Sequence, residues 1–122
     1  MARAQKQSIT KDPVFAAIEN HRKAMKELYE ALKPVAWNKG DPDPKKASKY
    51  LSREHTVRDE LTATAPTTLQ GLLAVLSSIN GVTNGPLSPY GKRDNTFEQS
   101  DTLMDVFANA EKLLAEQIGR AA

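Results

Sequence analysis

The chain has 122 residues, no cysteine, and 17 basic against 15 acidic side chains, for a formal net charge of +2. That length fits one ordinary domain, able to bury roughly two thirds of its unfolded surface without a metal or a crosslink. Thiol catalysis, disulfides and thiolate metal sites are excluded, and so small a net charge does not mark a nucleic-acid binder.

Residues 1–11 carry Arg3, Lys6 and Lys11 and no acid, and read as a flexible basic tail ahead of a single helical domain over 12–122. No apolar segment backs those charges as in a signal peptide, and no run is long enough to span a bilayer. A cytoplasmic protein without a membrane partner is the expectation.

Asp12-Pro13 reads as a helix start, with the aspartate as N-cap and the proline at the first helical position. Val14, Ile18, His21, Met25, Leu28, Leu32 and Val35 then repeat at spacings of four and three, a heptad seam containing one histidine. Pro34 should end or kink this helix. Asp43-Pro44 repeats the start signal and opens a second helix to about Thr64. Its apolar positions, Ala47, Tyr50, Leu51, Val57 and Leu61, are interrupted by Glu54 and His55, a pattern compatible with one continuous helix or with two pieces meeting near Ser52. Glu54 and Arg58 form an i,i+4 pair.

Pro66 forbids a helix running in from upstream, and Thr67 with Gln70 has capping-box spacing, so a third helix starts at Thr67 or Thr68. Leu69, Leu72, Leu73, Val75, Leu76 and Ile79 make it apolar over most of its circumference, the pattern of a central, buried helix stopped by Asn80-Gly81. A long loop follows over 82–95. Thr96 and Gln99 offer another capping box. The last helix puts Phe97, Leu103, Phe107, Ala110, Leu114 and Ile118 on one face, with Gly119 as its stop. The fold class expected is all-α, a four-helix bundle-like single domain with neighbouring helices antiparallel.

Two stretches, Ile18-Glu19-Asn20-His21-Arg22-Lys23-Ala24 and Ala65-Pro66-Thr67-Thr68-Leu69-Gln70-Gly71-Leu72, resemble small helical proteins of unknown function from alphaproteobacteria. Those carry an early histidine-arginine pair and then a proline-threonine-threonine-leucine-x-glycine helix start. Ser77, Ser78 and Asn80 depart from the arginine and aromatics expected there. The resemblance implies a helical fold and a bacterial origin, and no activity.

His21 invites two readings, a buried base or ligand tuned by its surroundings, or a core histidine whose ring is satisfied by a neighbouring helix. The second is favoured, because no nucleophile or acid partner lies near it in sequence. A metal site would need His55 and Glu54 or Glu19 to converge on it. Lys45, Lys46, Lys49 and Arg53 share one helical face and could grip phosphates, diluted by Asp41, Asp43 and Glu54. Trp37 and the loop residues Leu87, Tyr90, Lys92 and Arg93 are of types common at interaction hot spots, unless Trp37 only caps the bundle end. No Ser–His–Asp arrangement, catalytic carboxylate pair or phosphate-cradling glycine loop is present.

The reading is therefore a small helical interaction protein that is not an enzyme and needs no cofactor or metal. It would bind a protein partner or self-associate through the first helix's seam, with Trp37, Leu87, Tyr90, Arg93 and His21 as candidate binding residues. The alternatives are a nucleic-acid-associated protein using the tail and the Lys45–Arg53 face, and a ligand-binding or catalytic bundle built on His21.

Overall fold

Two aspartate–proline pairs start the first two helices of the computed structural model, which describes residues 11–121 apart from 36 and 38. The elements are α1 (Pro13–Ala31), α2 (Pro44–Ala63), α3 (Leu69–Asn84), a 3-10 turn at Phe97–Gln99, and α4 (Leu103–Ala121), with no strand among the described residues. The expected tail lies outside the described residues except for Lys11.

Asp12 and Asp43 cap as expected, their carboxylates accepting from the Val14 and Lys45 amides at 3.2 and 3.1 Å. α1 ends before Pro34. α2 runs unbroken through Ser52. Its periodicity looked poor because Glu54 and Arg58 occupy positions that face the core, where apolar residues are the usual choice, while Leu51 is exposed. The α1–α2 pairings Glu27–Arg53 and His21–Glu54, and the bond from Thr67 after α2 to Asp12 before α1, run in opposite senses along the chain, so these two helices are antiparallel.

The α1 seam is buried from Val14 through Ile18 and His21 to Met25, whereas Leu32 is partly exposed. The core joins these apolar residues to Leu61 of α2, Val75 and Val82 of α3, Phe97 of the turn and Val106 of α4. The buried part of the seam is thus used inside one chain. It is not free to pair with a second one.

α3 starts at the second of the two expected positions and departs from expectation at its other end. Thr68 is its N-cap, and its hydroxyl accepts from the Gly71 amide at 2.9 Å. The helix passes through Asn80-Gly81 and stops at Gly85, whose φ of +114° lies where L side chains rarely go. Gly81 instead lets Leu87 fold back over the helix: a β-carbon there would sit 2.6 Å from Leu87 Cγ, and the Leu87 amide donates to the Gly81 carbonyl at 2.9 Å. Gly85→Ala combines an unfavourable φ with a β-carbon 3.1 Å from the Lys92 backbone. It should cost about 1–2 kcal/mol in a denaturant titration; an unchanged midpoint would contradict this account of the stop.

The loop after Gly85 is held by Asp94, whose carboxylate accepts from the Ser88 hydroxyl and from the amide and hydroxyl of Thr96. The expected capping box at Thr96 does not form, and Phe97–Gln99 makes a separate turn with Phe97 buried. The start of α4 is tied to α2: Asp59 accepts from the Ser100 hydroxyl and the Asp101 amide, and Thr62 bonds Ser100 and Thr102. Asn109 then reaches the carbonyl of Ala63, the last residue of α2. Contacts therefore advance in the same sense along α2 and α4, and residues 110–121 run beyond the end of α2. That placement decides which side of α4 is covered.

Candidate functional site

His21, Glu54 and Arg58 form a sealed network. His21 Nε2 lies 2.8 Å from Glu54 Oε2, and Glu54 Oε1 lies 3.0 Å from Arg58 NH2. Arg58 NH1 donates to the Thr96 carbonyl at 2.6 Å. All three side chains are nearly inaccessible to solvent, and the Phe97 ring tilts against His21 at 4.9 Å between centroids. The adjoining cavity, lined in part by His21, Met25, Leu61 and Phe97, holds only about 20 Å³, room for about one water and no substrate. One carboxylate bridging an imidazole and a guanidinium is a network that fixes helix register, since a one-turn slip of α2 would leave Glu54 buried without its partner on α1. Arg58 Nε is buried with no hydrogen-bond partner.

His55 is exposed, as is Glu19, which pairs with Arg22. Of the imagined metal site only His21 and Glu54 meet, without His55 or Glu19, and no group of three or more potential ligands converges among the described residues.

A second buried carboxylate accounts for the proline-threonine-threonine-leucine-x-glycine stretch. Asp12 Oδ1 caps α1, while its Oδ2 accepts from the Thr67 amide at 3.1 Å, the Thr68 amide at 3.0 Å and the Thr68 hydroxyl at 2.7 Å. One side chain thus holds the N-termini of both α1 and α3, where a negative charge also suits the helix dipoles. Gly71 makes room for it: a β-carbon there would overlap Asp12 Oδ2 and lie 2.7 Å from its Cγ. The motif is a clasp, with Pro66 and Gly71 buried at its two ends.

Of the residues expected to bind, Leu87 joins Met25, Tyr29 and Pro89 in an open groove of about 300 Å³ bordered by Arg22 and Lys26. Tyr90 stands edge-on to Tyr29 with centroids 5.2 Å apart. Partial burial, then nearby Asp94 and Tyr29, raise the pKa of its hydroxyl above the ordinary tyrosine value, so it is uncharged at neutral pH. Arg93 lines a separate, polar cleft with Thr83, Asp94 and Glu98. Trp37 is 72 % exposed and does not cap the bundle. Lys45, Lys46 and Lys49 are exposed at the start of α2, and Arg53 is drawn 3.7 Å from Glu27.

The largest departure lies on α4. Its buried residues are Val106 and Leu113, with Leu103 packed beside the core, whereas Met104, Phe107, Leu114 and Ile118 are 71, 60, 44 and 68 % exposed. The expected inward face, carrying Phe107, Leu114 and Ile118, points to water. α4 is apolar around more than half of its circumference, so periodicity alone left two faces available. On α3, Leu72, Val75 and Val82 face the core, while Leu69, Leu73 and Leu76 are partly or mostly exposed. α3 is therefore not buried all round. No helix among the described residues is long and apolar enough to cross a membrane.

Comparison with family models, with curated proteins and with solved structures gave no match. The functional reading rests on the geometry.

Proposed function

We propose that this chain is a small, non-enzymatic protein-interaction module of the bacterial cytoplasm that docks a partner through the outward face of α4. The observation that carries this reading is the open apolar face of Met104, Phe107, Leu114 and Ile118. Large contiguous apolar surfaces of this kind are uncommon on monomers and mark interaction sites. The burial of the His21 imidazole, the Glu54 carboxylate and the Arg58 guanidinium supports the same reading. The bacterial origin rests on the resemblance noted above.

The test is photo-crosslinking in the cells of its source, with a benzophenone amino acid in place of Phe107 or, on the polar side of α4, of Glu116. Discrete protein adducts from position 107 and none from 116 are expected. Equal labelling from both, or none from either, would reject the reading. The nucleic-acid alternative predicts instead that DNA or RNA is retained at low salt and that charge reversal at Lys45, Lys46 and Lys49 abolishes retention.

A further inference from the structure

We infer that the occupant of the α4 face is a second copy of this chain, docked antiparallel through the same face; this rests on the reading of that face as an interaction surface. Met104, Phe107, Glu111, Leu114 and Ile118 repeat at spacings of three, four, three and four, the seam spacing of a two-stranded coiled coil. Ala108 and Ala115, both exposed and seven residues apart, flank that seam with side chains small enough for close approach of another helix.

Charge narrows the occupant. Residues 101–122 carry Asp101, Asp105, Glu111 and Glu116 against Lys112 and Arg120, a balance of −2. That sign disfavours nucleic acid and anionic lipid, which attract basic faces. Area is sufficient for a reversible pair: at about 200 Å² for a large apolar residue, the four α4 side chains leave roughly 500 Å² open on each copy, so two copies together bury on the order of 1,000 Å², the low end of specific interfaces.

The helix dipoles set the direction. Parallel pairing would align the two dipoles side by side, whereas antiparallel pairing opposes them favourably. It sets Phe107 against Ile118 of the second copy and Glu111 against Leu114. The point of symmetry then falls between residues 112 and 113.

Because the chain has no cysteine, single cysteines report the geometry directly. In light scattering, the mass of the wild-type chain should rise from 13.4 kDa towards twice that value with concentration. Phe107→Glu should weaken the association at least tenfold, and Glu111→Leu should tighten it. Under mild oxidation Glu111→Cys and Leu114→Cys should crosslink as dimers, while Met104→Cys and Ile118→Cys, roughly 26 and 17 Å from their symmetry mates along the axis at 1.5 Å per residue, should not. Equal crosslinking at all four positions would overturn the antiparallel arrangement. A mass fixed at that of one chain, without crosslinks, would overturn the second copy as occupant. If position 107 then still gave adducts with another protein, the interaction reading would stand without this inference; if it gave none, both would fall.

Discussion

Gly71→Ala is expected to lower stability by about 3–5 kcal/mol, a large share of the roughly 5–15 kcal/mol that holds an ordinary domain together. The added carbon would occupy the position of Asp12 Oδ2 and would also press on Val14 Cγ1 at 3.0 Å. Neither neighbour can yield by rotating a free end. Asp12 is fixed by four hydrogen bonds and Val14 is fully buried. The strain must be relieved by moving the N-terminus of α3 away from that of α1, which leaves amides in both helix starts without their acceptor. In a thermal melt the midpoint should drop by roughly 10–20 °C for a chain of this size. Gly119→Ala is the control, since nothing lies within 4 Å of the added carbon and alanine is the better helix former. It should be neutral or stabilise by up to about 1 kcal/mol. Equal effects at the two glycines would remove the clasp.

Glu54→Ala should cost a further independent 3–5 kcal/mol, because it leaves an imidazole and a guanidinium buried without their shared carboxylate. The informative comparison is the triple change His21→Leu, Glu54→Leu, Arg58→Met. Buried ion networks replaced as a unit by apolar groups of similar size often lose nothing, so the triple variant should recover most of the stability that the single change removes. The Thr96 carbonyl, which accepts from Arg58, sets the residual deficit at about 1–3 kcal/mol. Urea titrations of the three proteins give the answer. A single variant within about 1 kcal/mol of wild type would mean the network is solvated. A triple variant that folds but no longer crosslinks from position 107 would mean the network serves function, not register.

The sequence made some parts of this molecule plain and concealed others for physical reasons. Asp12-Pro13 and Asp43-Pro44 are local signals, read correctly because capping involves neighbours in the chain. The clasp was invisible because Asp12 meets Thr67 and Thr68 from 55 and 56 residues away, and the threonine–glutamine spacing offered a local explanation for the same residues. Helix α2 could be read as continuous or broken because its core face carries Glu54 and Arg58, each tolerable inside only with the other and His21. Glu54 and Arg58 were recognised as an i,i+4 pair, and that pairing of charges between apolar positions was the one signal that could have revealed the buried network. The wide apolar arc of α4 showed that the helix had a face to cover. Which half faced the core depended on the tie from Asp59 and Thr62 to Ser100 and Thr102, which no periodicity encodes.

Adjacent residues on α4 test the central claim most directly. Val106 is 6 % exposed and Phe107 is 60 %, so Val106→Asp and Phe107→Glu place similar charges about 100° apart on one helix turn, one inside and one in the open. Thermal unfolding at high dilution, where association is negligible, should show Val106→Asp unfolded or severely destabilised and Phe107→Glu within a degree or two of wild type. Equal collapse of both would place Phe107 in the core and contradict an open face on α4.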